Sequence, residues 1–264
     1  MSKKIGLALG SGGARGVAHL GVIKALEEEG IRPDYIAGCS MGSVVGAGYA
    51  NGMSIEQMYK IIKKLKAIQL IDVTAVPITR LALTRGNKMR NLIISKIGDC
   101  QFSDLKIPFR CVASDLYSGR LITLSEGDVA TAVRASSSMP TIFPPVKFED
   151  KLLIDGGVLC RVPTRQVKEM GADVVIAVDV LSNTGEEVGR VKNIISLIMR
   201  VFDMMDYNTT ELRKQLLGTK NEVWIVPEMK GLSQYAVKDF ERSFDEGYVA
   251  TKAQMGAIKK LIES

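Results

Sequence analysis

The sequence predicts an α/β protein with a mostly parallel central sheet and helices on both faces. Three observations carry this. Short apolar runs of strand length alternate with longer stretches of helical period. Several of those runs end directly in glycine turns. The chain has 264 residues, 46% of them hydrophobic and 24% charged, which is enough for a large core and ordinary for a soluble α/β unit. No Pro-, Ser- or Gln-rich linker and no internal repeat divides it, so a single domain over 1–264 is expected.

The elements follow in order. "KIGLAL" (4–9) is a short apolar run ending at glycine, a buried strand. "GGARGVAHLGVIKALEEEG" (12–30) has helical apolar spacing and closes on Gly30. "YIAGC" (35–39) is the next strand. "MGSVVGAGYANG" (41–52) is small and apolar all round, a buried helix able to lie close to the sheet. "SIEQMYKIIKKLK" (54–66) is an amphipathic helix opened by a Ser54/Gln57 capping box. "PFRCVASDL" (108–116) and "RLITLS" (120–125) read as strands, and "GDVATAVRASSS" (127–138) as a helix that breaks before Pro140. "KLLIDGG" (151–157) is a strand running into a turn, "PTRQVKEMG" (163–171) a helix and "ADVVIAVDV" (172–180) a buried strand. A long helix over 188–217, the strand "EVWIVP" (222–227) and a closing helix over 239–262 complete the chain. Alternating strands and helices predict parallel crossovers, with the active crevice at the carboxyl ends of the strands.

Composition narrows the function. No charge occurs between Tyr35 and Ile55, yet five glycines, Asn51 and three serines make that stretch a poor match to hydrocarbon. A buried segment explains it better than a membrane span. The N-terminus has too short an apolar core for a signal peptide. The cysteines at 39, 100, 111 and 160 form no CxxC pair, so neither a disulfide framework nor a zinc site is expected. A reduced, cytoplasmic setting follows. The net charge of +6 is scattered. It reads as a solvated surface or as a weak attraction to anionic membrane surfaces, and it forms no basic stripe for nucleic acid.

Three glycine turns sit at the carboxyl ends of predicted strands: Gly10–Gly16 (GSGGARG), Gly38–Gly42 (GCSMG) and Asp155–Gly157 (DGG). The second is G-x-S-x-G between a strand and a helix. Gly38 and Gly42 leave room for the backbones to cross, and Ser40 is lifted to a helix N-terminus as a nucleophile would be. Its plainer role is that of an N-cap. The first turn fails the dinucleotide spacing, because Arg15 stands where a third glycine is needed, and it lacks the Gly-Lys-Ser/Thr of a phosphate loop. Its clustered N–H groups suit an oxyanion instead. Arg15 adds positive charge there or binds an anion such as a phosphate head group; the alternative is solvated surface. A serine needs a base. The one histidine, His19, lies upstream of Ser40 and fits better as packing under the first loop. Asp115, Asp155 and Asp179 each stand near a strand end, and Asp155 is delivered most directly into its turn, where Gly156 and Gly157 follow. A turn-stabilising aspartate is the alternative for it.

These three turns, in this order, together with "SSSMPTIFPPV" (136–146), resemble the bacterial patatin-like phospholipase family over residues 4 to 180. The resemblance implies a three-layer patatin-like architecture and a Ser40–Asp155 dyad without histidine. It implies an oxyanion hole from the Gly10, Gly12, Gly13 and Ala14 region, and hydrolysis of lipid acyl esters through an acyl-serine. It implies no metal; no cofactor is expected, and the net positive charge would allow peripheral contact with the inner membrane face. Cys160 stands where the family often carries asparagine. Two apolar segments, 66–86 (a candidate lid) and the Met-rich 193–205, read as ordinary core packing or, for one of them, as an acyl-chain channel, a membrane-touching face or a subunit contact. A non-catalytic adaptor on the same fold and a nucleotide-binding protein are the competing readings.

Overall fold

A computed structural model of the chain describes residues 3–64, 87–182, 191, 194–218, 220–232 and 239–264. The elements are β1 (Ile5–Leu9), a 3-10 turn (Gly13–Val17), α1 (Ala18–Glu28), β2 (Tyr35–Gly38), α2 (Met41–Ala50), α3 (Ile55–Lys64) and α4 (Asn87–Ile97). They continue as β3 (Phe109–Asp115), β4 (Leu121–Leu124), α5 (Val129–Ser136), β5 (Val146–Phe148), β6 (Lys151–Asp155), a 3-10 turn (Gly156–Val158) and α6 (Thr164–Glu169). The last are β7 (Val174–Val178), α7 (Ile194–Leu217), β8 (Glu222–Ile225) and α8 (Phe240–Glu263). The proposed lid, 66–86, lies outside the described residues.

The α/β class and the helices on both faces are as the sequence predicts. The strands are hydrogen-bonded in the order β5-β6-β3-β2-β1-β7-β8, with β4 also on β3. β1, β2, β3, β7 and β8 run parallel. β4, β5 and β6 do not: β4 and β6 are both antiparallel to β3, and β5 to β6. The sheet is therefore mostly parallel, as the sequence predicts, with an antiparallel part where β4, β5 and β6 join β3.

Side-chain size sorts the two faces. Leu7, Leu9, Ile36, Ile176 and Val178 join the main core under α1, α2, α5 and α8. Ala8, Ala37 and Ala177 alternate with them and face the other side, where Val162 and Val167 pack. Small residues there let α6, one and a half turns long, sit close to the strands. The Ser54/Gln57 box forms as expected: Ser54 N–H donates to Gln57 Oε1 at 2.9 Å and Gln57 N–H to Ser54 Oγ at 3.2 Å.

One detail of register positions the site. Cys111 of β3 is level with Gly38 of β2 and Leu124 of β4, so β2 and β4 lie on opposite edges of β3. Ala113 is level with Ile122 of β4 and Asp155 of β6, so β6 also lies opposite β4. β2 and β6 thus share one edge of β3 and approach each other end to end. The backbone agrees: Pro108 C=O accepts from Ile36 N–H at 3.0 Å, and Leu116 N–H donates to Leu152 C=O at 2.9 Å. Even-numbered residues face the same edge.

Candidate active site

Ser40 leaves the end of β2 with φ 51° and ψ −122°, a backbone shape that costs an L-residue about 1–3 kcal/mol. Its surroundings hold it there. Ser40 N–H donates to Ser136 Oγ at 3.0 Å, and Ser40 C=O accepts from Ser43 Oγ at 2.6 Å and Ser43 N–H at 2.9 Å. Gly42 must be glycine, because a Cβ would lie 2.2 Å from Leu9 O and 2.5 Å from Gly10 O. A side chain there would force α2 off the end of β1. Ser40 occupies the N-cap position of α2 but makes no capping bond. Its hydroxyl instead donates to Asp155 Oδ2 at 2.6 Å. The other oxygen, Oδ1, accepts from Gly157 N–H at 2.8 Å and contacts Cys39 Sγ at 3.8 Å. Asp155 therefore holds its own turn as well as facing the serine.

The pair is dry. Ser40 and Asp155 are both buried, at 8% and 5% exposure. Burial pushes the Asp155 carboxyl up to about 6, although the hydrogen bonds from Ser40, Gly157 and Cys39 oppose the rise. A cavity of about 80 Å³ opens beside it, lined among others by Ser11, Met139, Gly157, Phe202, Met205 and Asp206. Burial pushes Asp206 up to about 7 even though it pairs with Arg161 at 3.1 Å.

The other predicted residues divide clearly. Asp115 accepts from Tyr117, Ser118 and Leu152 N–H and from Ser118 Oγ, which makes it a turn holder. Asp179 is bound to Arg161 at 2.8 Å and to Lys214 at 3.3 Å. His19 packs under the first loop, where its Nε2–H donates to Gly10 C=O at 2.7 Å. Burial lowers it to about 4, so it is neutral at pH 7.

Two site expectations need correction. Gly10 donates its N–H to Val178 C=O at 3.0 Å across the sheet, which leaves no donor for an oxyanion. Ser11 N–H is likewise taken by Arg161 C=O at 3.0 Å. The N–H groups of Gly12, Gly13 and Ala14 have no acceptor among the described residues. Arg15 is not a solvated surface residue. It is 8% exposed, and its Nε donates to Leu232 C=O at 2.8 Å, as does its Nη2. Burial inside the 3-10 turn tucks its guanidinium under the late loop instead of into the crevice.

Sequence reasoning missed Ser136 and Ser11. Ser136 sits in the quoted "SSSMP" run, but nothing in its spacing tells which serine meets Ser40. A Cβ on Gly157 would lie 3.3 Å from Ser11 Oγ, so the first and third turns are in contact. Cys160, the departure from the family pattern, is buried, with its N–H on Gly156 C=O at 2.7 Å and its Sγ 3.6 Å from Val162 C=O. It leaves the Asp155 hydrogen bonds intact. Among the described residues no group of three His, Cys, Asp or Glu side chains is placed to hold a metal.

With this geometry in view, comparison with known proteins is informative. The sequence model of patatin-like phospholipases matches residues 7–168. The chain belongs to the patatin-like phospholipase family. The lysophospholipase nte1 of Aspergillus fumigatus is 39% identical over 184 residues, which are 67% of this chain and 12% of that protein. An uncharacterised NTE family protein of Mycobacterium tuberculosis is 36% identical over 188 residues, 71% of this chain and 51% of the relative. The chain thus spans only part of the curated relatives it matches. Among solved structures, VipD of Legionella pneumophila superposes over 97% of this chain and 67% of its own, with a TM-score of 0.58 at 15% identity. ExoU of Pseudomonas aeruginosa, solved with SpcU, covers 100% of this chain and 53% of its own, with a TM-score of 0.53 at 16% identity. At such identities these two speak for the patatin-like fold alone.

Proposed function

We propose that this patatin-like chain is a lipid acyl-ester hydrolase, of the lysophospholipase or phospholipase A type, working through a Ser40–Asp155 dyad. The observation that carries this is the 2.6 Å hydrogen bond from a strained, buried serine to a carboxylate of raised proton affinity. Above pH 6 Asp155 is ionised, yet it is a better base than an ordinary carboxylate. Ser40 Oγ attacks the ester carbonyl as its proton passes to Asp155 Oδ2. The N–H groups of Gly12, Gly13 and Ala14 are the donors for the tetrahedral oxyanion, where loss of one donor typically costs about 3 kcal/mol of transition-state stabilisation. Asp155 then protonates the leaving alcohol, which leaves an acyl-serine. Water attacks that ester with Asp155 again as base, and the carboxylic acid and free serine are restored. No step calls on histidine.

Phe202 and Met205 of α7, beside the cavity, are suited to hold an acyl chain. The exposed Ile194, Leu197, Val201 and Met204 on the same helix suit peripheral contact with a lipid surface. Among the described residues no helix is long and apolar enough to cross a membrane. The four free thiols fit a reducing, cytoplasmic setting.

The test is hydrolysis of p-nitrophenyl esters and lysophospholipids, with fluorophosphonate labelling. Wild type should turn over and label on Ser40. Ser40→Ala and Asp155→Asn should fold and lose about 10²-fold or more in kcat. Full activity in Ser40→Ala would remove the nucleophile assignment.

A further inference from the structure

A second cavity lies on the sheet face covered by α6 and shares no lining residue with the one beside Asp155. Its volume is about 360 Å³, within the range of small-molecule sites. Arg161, Gln166, Thr210, Arg213 and Trp224 are among its walls. Three features there are unexplained by the fold. Arg161 and Gln166 are 2% and 4% exposed, and Arg161 Nε and Gln166 Oε1 have no hydrogen-bond partner among the described residues. Buried polar atoms of this kind are rare in folded proteins and call for a partner. Arg213 makes no ion pair among the described residues.

The charges around the cavity are otherwise matched. Glu169 is bonded to Arg165 at 2.6 Å, Glu222 pairs with Lys168, and Arg161 is held by Asp179 and Asp206. Among the described residues the unmatched charge in the cavity wall is the cation of Arg213, which calls for an anion. A third wall atom without a hydrogen bond, Glu222 Oε1, is neutralised by its ion pair with Lys168, which leaves two orphan atoms of opposite character. Arg161 Nε–H needs an acceptor, and Gln166 Oε1 needs a donor. One group supplies both: an oxyanion that carries a hydroxyl. Hydrogen phosphate does, and so does glycerol 3-phosphate through its glycerol hydroxyls. Sulfate does not.

We infer that this cavity is a binding site for a phosphate-type oxyanion bearing a hydroxyl, with Arg213 and Arg161 as donors and Gln166 as acceptor. The site lies next to the reaction machinery without belonging to it. Arg161 carries the pair to Asp206, which lines the cavity beside Asp155, and Cys160 ties to the Gly156 turn.

The experiment needs no turnover, so its outcome is separate from that of the proposed hydrolase activity. Trp224 is the only tryptophan in the chain and lines this cavity, so its fluorescence reports occupancy. Full-length protein is titrated at pH 7 with inorganic phosphate, with glycerol 3-phosphate and with sulfate at matched ionic strength. Phosphate or glycerol 3-phosphate should give a saturable change, and sulfate should bind about tenfold more weakly or less, since it leaves Gln166 Oε1 unpaired. Whichever of the two binds more tightly identifies the source as the free ion or the headgroup fragment. Arg213→Ala should weaken binding by about tenfold or more. Gln166→Leu should bring phosphate and sulfate to equal affinity. Should that variant not fold, the half-buried Arg213 still carries the test. No saturation with either phosphate, equal affinity for sulfate in wild type, or unchanged binding in Arg213→Ala would each overturn the inference.

Discussion

Replacing Asp155 with asparagine should stabilise the protein while disabling it. The carboxyl has an unfolded value of 3.8 and a folded value of about 6, set by burial. That rise of about two units means the folded state holds the carboxylate at a cost of about 3 kcal/mol at pH 8. Asparagine carries no charge and removes the cost. It also gives up one favourable contact to Gly157 or Ser40, worth about 1 kcal/mol. The net gain is about 2 kcal/mol, or roughly 4–8 °C in melting temperature for a chain of this size. The pH dependence has a fixed sign. Between pH 3.8 and 6 the folded state binds the extra proton, so wild-type stability falls as pH rises through that window. The variant's advantage should therefore be full at pH 8, shrink through pH 6 and reverse near pH 4, where only the lost contact remains. Calorimetric melting of both proteins at pH 8, 6 and 4 reads this directly. The wild-type kcat/KM should fall below about pH 6 on the same ionisation. An Asp155→Asn protein that melts at or below the wild-type temperature at pH 8, or whose difference ignores pH, would refute a desolvated carboxylate at this position.

Two further outcomes follow from the same turn. Ser136→Ala takes the acceptor from Ser40 N–H, which should cost about 1–3 kcal/mol at a strained backbone; fluorophosphonate labelling should slow about tenfold or more, with KM for short esters unchanged. An unaltered labelling rate would show that Ser136 does not hold the nucleophile. Gly42→Ala drives a methyl into Leu9 O and Gly10 O and should cost about 3 kcal/mol in melting experiments. Gly30→Ala, at φ 71° with nothing within 4 Å, should lose only about 1 kcal/mol for its backbone shape.

The sequence carried the fold class because period and glycine punctuation are local signals. β1, β2 and β7 read correctly since each is a continuous buried run. The direction of β6 was not legible, because "KLLID" has the same pattern whichever way it enters the sheet. β5 and α4 were missed. The three residues Val146–Phe148 offer no period, and α4 has only a weak apolar stripe. Ser40 and Asp155 were legible as residue types at glycine turns, but their meeting is a tertiary fact. Gly10 looked like a donor because loop glycines often are. Its N–H is consumed by a neighbour 168 residues away, which no local window contains. Arg15 failed for the same reason, since its acceptor is at 232.

The end-to-end arrangement of β2 and β6 has a consequence for how activity depends on the sheet. β3 acts as a ruler beneath both: Gly38 stands at Cys111 and Asp155 at Ala113, two residues along the same edge. That spacing is about 7 Å of strand. The nucleophile and its partner are the two faces of a splice, held at a set separation by a third strand that takes no part in the chemistry. Sliding β6 by a single residue would turn the Asp155 side chain to the other side of the sheet while leaving most of the hydrogen-bond ladder intact. Strand registry is therefore itself a catalytic parameter, and a one-residue insertion in the 149–151 hairpin would silence the site without unfolding the protein.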